Sequence, residues 1–275
     1  MRGQRSQASL VVLIRTLRVL EPYLDQIVIV GGWVPFMYRT YGQVPSQNPL
    51  VRTMDIDLAV PRTLPERGLL TVDDLLSEAG YKARLYGSES TIVKYELPGS
   101  AAEVEFVTAE IGRSGKPTLQ VQRGLSAQKL RHVEILLENT VTIQVSEVID
   151  KKRVRLAVKV PSPAAYVYQK GLTLRLRGEK AAKDLYYIFD FLDSSPEVCG
   201  SIVSGIAGMR TRYPRAWFVR LLTNLRFYFV EGTAPGLHLV TTQYEGKMAE
   251  GQFRSYVSRT FRDFIEGLDE MTRGS

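Results

Sequence analysis

Gln26-Ile-Val-Ile-Val-Gly-Gly-Trp33, followed after a proline-containing gap by Thr53-Met-Asp-Ile-Asp-Leu-Ala-Val60, organises this chain. The first stretch reads as a short apolar strand, Ile27 to Val30, that ends in a glycine pair and runs into a helix over Trp33 to Tyr41, stopped at Gly42. The second reads as a strand over Asp55 to Val60 with two aspartates at i and i+2. Strand side chains alternate between faces, so Asp55 and Asp57 share one face while Ile56 and Leu58 take the other. Two neighbouring carboxylates repel and need a counter-charge, and a pair of divalent cations supplies it when the chemistry concerns phosphate.

Bulk composition narrows what such a pair can do. The 275 residues include 36 Lys+Arg against 29 Asp+Glu, a net charge of +7. That balance suits a phosphate-rich partner such as a nucleotide or nucleic acid. Cys199 is the single cysteine, and His132 and His238 are the two histidines. This excludes an internal disulfide, a cysteine zinc site and a His-rich metal centre. A bound metal would be held by carboxylates, which points to Mg²⁺ or Mn²⁺. Arg15 and Arg18 interrupt the apolar positions near the N-terminus, so residues 8 to 23 form an amphipathic helix and not a signal peptide. No apolar run is long enough to span a bilayer, and a cytoplasmic location is expected.

Outward from the two strands, residues 43 to 51 carry two prolines and read as a loop. A helix is expected over Leu64 to Gly80, with Thr71 as N-cap and Asp73 and Asp74 in its first turn. Tyr81 to Tyr86, Thr91 to Leu97 and Glu103 to Thr108 read as strands, the last two joined through Pro98-Gly99. Residues 111 to 117 are a glycine-rich basic loop with Arg113 and Lys116. The segments 118 to 122, 133 to 146 and 153 to 160 alternate like strands, and Leu125 to Leu130 reads as a short helix. Beyond Pro161 and Pro163 helical periods dominate: Ala164 to Leu176, Glu179 to Leu192, Pro196 to Arg210, Pro214 to Val230 and Met248 to Met271. The expected architecture is α/β (α+β): a mixed-sheet domain over 1–160 and a helical bundle over 161–275. Tyr213, Trp217, Phe227, Tyr228 and Phe229 read as core of that bundle. Cys199 and both histidines read as structural.

Two metals need more oxygen ligands than two aspartates provide, and the strand Glu103-Val-Glu-Phe-Val107 supplies a third acid. Glu103 and Glu105 have the same parity, so alternation does not choose between them. Glu105 is preferred because Val104 and Phe106 anchor it in the core. The glycine pair lets the backbone approach a triphosphate, with helix N–H groups aimed at it.

Together, G-G-W, T-M-D-I-D-L and the later V-E-F strand resemble the DNA polymerase beta-like nucleotidyltransferase superfamily. The closer resemblance is to its minimal and abortive-infection (type IV toxin) branches. It runs over residues 27 to 190 as separated motifs. It extends to Lys183-Asp184 in the helical half, with Lys170 upstream. The resemblance implies a metal-dependent transfer of a nucleoside monophosphate from an NTP to a hydroxyl, releasing pyrophosphate. It implies that Asp55, Asp57 and Glu105 are catalytic and hold Mg²⁺ or Mn²⁺. Gly31, Gly32, Thr53, Lys170, Lys183 and Asp184 would bind the nucleotide. It further implies an RNA acceptor, the tRNA 3′ end first, and an antitoxin protein as partner. A protein or small-molecule hydroxyl is the alternative acceptor, and a non-catalytic nucleotide-binding or nucleic-acid-binding module is the competing class. The chain departs from the pattern in three places. In a turn that is GG or GS among members, the second residue is Gly32 and not serine, the gap from Gly32 to Asp55 is long, and Arg52 directly precedes Thr53.

Overall fold

The computed structural model describes residues 2–42, 44, 46, 48–51, 53–68, 70–86, 92–112 and 115–273. Arg52, Thr91 and Arg113 of the basic loop, which the sequence reading singled out, lie outside them. The chain forms two compact units, one of residues 1–42 and 52–161, the other of residues 43–51 and 162–275.

The first unit is built on a mixed sheet, nine-stranded among the described residues. Helix α1 (Arg2–Val19) leads to β1 (Val28–Val30), α2 (Trp33–Thr40), β2 (Ile56–Ala59) and α3 (Val72–Glu78). Then come β3 (Lys82–Tyr86), β4 (Ile92–Glu96), β5 (Glu103–Ala109), β6 (Thr118–Gln122) and β7 (Leu125–Leu130). Helix α4 (Val133–Glu138), β8 (Thr140–Ile149) and β9 (Lys152–Pro161) complete it. The spatial order is β3-β4-β5-β2-β1-β9-β8, with β7 pairing the end of β5 and β6 pairing β7. Pairs β2–β5, β1–β9 and β5–β7 run parallel, the rest antiparallel.

Alternation divides the central strands between two faces. Ile56 and Leu58 are register partners of Val104 and Phe106, and all four are buried. Each such side chain contributes roughly 1.5–3 kcal/mol on leaving water. On the other face Val28, Val30, Ala59, Val107 and Ala109 pack beneath Val133 and Leu136 of α4. Asp57 and Glu105 have the parity of Ala59 and Val107, so this apolar cover stops one step short of the carboxylates.

Several expectations shift here. The helix expected from Leu64 starts at Val72, because Pro65 and the left-handed Gly68 (φ +69°) break the segment before it. Thr71 caps it in a capping box: its hydroxyl accepts from the Asp74 N–H at 3.1 Å, and its own N–H donates to the Asp74 carboxylate at 2.8 Å. Leu125–Leu130 is strand β7, not a helix, with alternate residues buried against its neighbours. The segment 133 to 146, read as strand, begins with helix α4. The turn between β8 and β9 holds two left-handed residues, Asp150 (φ +50°) and Lys151 (φ +63°). Arg15 donates to both carboxylate oxygens of Asp150 at 2.8 and 2.9 Å.

The second unit comprises α5 (Pro163–Thr173), α6 (Ala181–Leu192), α7 (Pro196–Met209), α8 (Arg215–Phe229), α9 (Pro235–Thr241) and α10 (Glu250–Arg273). Short 3-10 turns at Leu174–Leu176 and Gly178–Lys180 connect α5 to α6. Ser162 and Ser195 cap α5 and α7, each followed by proline at the first helical position. Helix α9 was not anticipated. The stripe Ala181, Leu185, Ile188 and Leu192 is buried, and the rest of α6 is nearly as enclosed. Phe189 meets Phe253 edge-on at 5.3 Å, and Phe229 stacks on Phe261 at 3.5 Å. Tyr228 and Phe229 are core, as read from the sequence, whereas Phe227 is 37% exposed and Tyr213 and Trp217 are half-buried.

Residues 46 and 48–51 lie along α6. The Tyr186 hydroxyl donates to the Pro49 carbonyl at 2.8 Å and the Tyr187 hydroxyl to the Val51 carbonyl at 3.3 Å. The Ser46 hydroxyl donates to Asp190 at 2.8 Å, and the Asn48 amide to Asp193 at 2.7 Å. Among the described residues no helix is long and apolar enough to cross a membrane.

Candidate active site

One row across the sheet brings charged side chains side by side. Arg84 on β3 pairs with Lys94 on β4, Lys94 with Glu105 on β5, Glu105 with Asp57 on β2, and Asp57 with Val30 on β1. Directly opposed residues share a face, so Lys94, Glu105 and Asp57 stand side by side. Asp57 and Glu105 are half-buried. Asp55 lies immediately before β2 and is exposed, and Thr53 is in the irregular segment ahead of it.

Asp57 is accommodated by the residue that ends β1. Gly31 is left-handed (φ +67°), and a Cβ built there would lie 2.0 Å from the Asp57 Oδ2. Only glycine satisfies both the backbone angle and that approach. Gly32 follows at φ −75° as N-cap of α2, with no side-chain cap bond, so the first N–H groups of the helix are not capped by the Gly32 position. The indole Nε1 of Trp33 is buried without a hydrogen-bond partner among the described residues. The turn thus sets the Asp57 carboxylate against a glycine backbone.

Lys94 is the counter-charge the acids required, and sequence reasoning missed it. Its ammonium binds Glu103 at 2.6 Å and also contacts Glu105. It lies 5.1 Å from the centroid of the Tyr86 ring, whose hydroxyl donates to Glu96 at 2.8 Å and Glu103 at 3.2 Å. Arg84 closes the network on Glu96 at 2.7 Å. The Glu103 carboxyl is held below its usual range, first by the hydrogen bond from Lys94. Burial alone would lower the Lys94 ammonium, but its bonds to Glu103 and Glu105 outweigh that and raise it. The signal available in sequence was the Pro98-Gly99 turn. A hairpin there carries the one lysine of β4 across to the glutamates.

Asp57 and Glu105 offer carboxylate oxygens of the kind a hard cation prefers. The three acids do not, however, close into a ligand set. No group of three or more His, Cys, Asp and Glu side chains is arranged to hold a metal ion among the described residues. Asp57 and Glu105 are neighbours, and Glu105 is engaged by Lys94.

The second unit gathers Lys170 and Asp184, which the sequence proposed together. The Lys170 Nζ donates to Asp184 Oδ1 at 2.6 Å, and the Arg177 Nε to Oδ2 at 2.7 Å. Asp184 is 3% exposed and Lys170 8%. Burial pushes the Asp184 carboxyl up, and the two cations more than offset it, leaving it below the usual range. Arg177 was not anticipated. Its place four residues after α5 brings it back to the first turn of α6, a contact the intervening glycine, Gly178 (φ +52°), makes possible. Lys183 is half-buried, its Nζ 5.9 Å from the Tyr187 ring centroid.

A family model described as nucleotidyltransferase matches residues 9–192. Among solved structures the chain is similar to MenT4, a nucleotidyltransferase toxin from Mycobacterium tuberculosis H37Rv. The likeness has 15% sequence identity and a TM-score of 0.38, covering 99% of this chain and 92% of that one. No curated protein matches.

Proposed function

We propose, because the chain belongs to the nucleotidyltransferase family, that it transfers a nucleoside monophosphate from an NTP to a hydroxyl group on RNA. The observation that carries this reading is the parallel register pair Asp57–Glu105 beside the left-handed Gly31. It brings two acids together at a strand-to-helix turn, where phosphate is favoured.

In the proposed reaction the acceptor oxygen bonds to the α-phosphorus, and the bond from that phosphorus to the oxygen bridging the β-phosphate breaks. Pyrophosphate leaves, and the hydroxyl proton passes to the Glu105 carboxylate. The first N–H groups of α2 and the Gly31-Gly32 backbone receive the phosphates. The resemblance assigns Asp55, Asp57 and Glu105 to Mg²⁺ or Mn²⁺, and to hold it they would have to close from the arrangement described above, with Glu105 leaving Lys94. Lys94 balances the acids on their outer side. Asp184 holds Lys170 and Arg177 in fixed positions, and with Lys183 and Thr53 these are the proposed nucleotide contacts of the chain. By resemblance the acceptor is the tRNA 3′ end, the protein acts as a toxin in the cytoplasm, and an antitoxin restrains it.

One observation favours a second reading, a nucleotide-binding module without transfer: Lys94 already neutralises Glu105. The test offers each labelled NTP with Mg²⁺ to the protein and total RNA. Label should enter RNA with the wild type and not with Asp55→Ala/Asp57→Ala. No label beyond that of the double variant defeats the transferase reading, and Mn²⁺-dependent thermal stabilisation of the wild type alone would then leave the binding module.

A further inference from the structure

Between Glu197 and Glu231 the chain contains five arginines, at 210, 212, 215, 220 and 226, and no acid and no lysine. Within the second unit this one-signed stretch forms nearly all of α7, Arg210 and the elbow Thr211 to Pro214, and α8. Arg226 is committed to Asp269, at 2.7 Å. The others are not all packed inward: Arg212, Arg215 and Arg220 are exposed. Arg215 and Arg220 share the outer side of α8 with Val219, 53% exposed, and Phe227, 37% exposed. The Arg175 guanidinium lies over the Phe227 ring at 4.5 Å, and Tyr213 stacks on Trp217 with 14° between the planes.

Exposed arginines alternating with half-exposed rings form a surface with two matched chemistries. Guanidinium groups bind phosphate oxygens in bidentate fashion and lose less hydration than ammonium groups. Aromatic faces and arginine planes accept unstacked bases without regard to sequence. At a rise of about 1.5 Å per residue, Arg215 to Arg220 covers about 7.5 Å and Arg215 to Phe227 about 18 Å. A single strand of several nucleotides fits that length. An acidic peptide would match the charge but would have no use for the rings.

We propose that the α7–α8 elbow and the outer face of α8 are a docking surface for the sugar-phosphate backbone of single-stranded RNA. The inference deepens the RNA acceptor proposed above and rests on that reading for its purpose. Arg215 and Arg220 supply the charge, and Phe227 with Arg175 supplies the stacking platform.

The experiment measures anisotropy of a fluorescent single-stranded RNA 20-mer across a NaCl series, without NTP or metal. In Arg215→Ala/Arg220→Ala, affinity at low salt should fall at least about tenfold. The slope of log affinity against log salt should flatten by about 1.4, as two lost phosphate contacts on a single strand require. Phe227→Ala should weaken binding and leave the slope unchanged. ATP binding by the arginine variant should match the wild type, which checks its fold. Wild-type binding retained in the arginine variant would overturn the surface, as would absence of RNA binding by the wild type. Polyglutamate displacing RNA as readily as unlabelled RNA does would assign the face to an acidic protein and also overturn it. If the wild type binds RNA through these arginines but transfers no label, the surface stands and the acceptor reading fails.

Discussion

Replacing Gly31 by alanine tests the site at its tightest point. The substitution meets two separate penalties. At φ +67° an L residue costs roughly 1–2 kcal/mol relative to glycine. The added Cβ would also lie 2.0 Å from the Asp57 Oδ2, 2.9 Å from its Cγ and 3.2 Å from its Cβ. Turning Asp57 about χ1 would move its Oδ2 and Cγ away but leave its Cβ at 3.2 Å, so the carboxylate must leave its seat or β1 and β2 must part. Contacts under 3.0 Å are not found at real Cβ atoms, so the gap must open by about 1 Å. A displacement of that size at reacting groups costs on the order of 10²-fold in rate. We therefore expect Gly31→Ala to lose about 1–2 kcal/mol or more in urea denaturation. Its single-turnover transfer should fall by on the order of 10²-fold. Gly32→Ala, at φ −75°, carries no backbone strain and is the comparison. Wild-type stability and transfer within about twofold of wild type in Gly31→Ala would refute the claim that Asp57 must seat on this residue.

Three further outcomes follow from contacts already described. Asp184→Asn leaves Lys170 buried without its counter-charge and should destabilise the protein by about 3–5 kcal/mol; a urea midpoint near that of the wild type would contradict it. The Glu103 carboxyl is depressed by Lys94, so its contribution is complete above the ordinary value of 4.5 and fades as pH falls through the lower folded value. Lys94→Met should flatten the stability profile on the acid side of that value, and an unchanged profile would argue against the pair. Lys151→Gly relieves a left-handed lysine in the β8–β9 turn and should raise stability by about 0.5–1 kcal/mol, read as an increased melting temperature.

The strands that carry the acids were legible because their signals are local. Ile56 and Leu58 alternate with acids, Val104 and Phe106 do the same, and burial enforces both patterns. Pairing Asp57 with Glu105 needed the parallel order of β2 and β5, which no local spacing contains. Lys94 was hidden for the same reason, since its partner depends on hairpin register. Leu125–Leu130 misled because Leu, Ala, Gln and Lys favour helix in isolation, yet pairing with β5 and β6 overrides that preference. In Val133–Glu138 the branched Val and Ile suggested a strand, but the segment lies over the sheet and not in it, starting at left-handed His132. Helix α9 is only seven residues long, too short for a periodic signal, and Gly236 within it sits close against the Tyr228 carbonyl. Asp184 read only as a neighbour of Lys183 and Lys170, because nothing in its own helix announces Arg177.

The nine residues between Gly42 and Arg52 have a consequence for how the protein can be divided. They belong to the helical unit, though sheet strands lie on both sides of them in the chain. Neither unit is therefore a continuous piece of polypeptide, and no single cleavage separates them. A fragment ending at Pro161 would carry residues 43–51 without the α6 hydroxyls that bind Pro49 and Val51. A fragment beginning at Ser162 would leave Asp190 and Asp193 without Ser46 and Asn48. During synthesis the N-terminal sheet can assemble early, but this strap must wait more than a hundred residues for its helix. Its closure ties the completion of the two units to one another, so halves expressed separately should recover their full stability only when mixed.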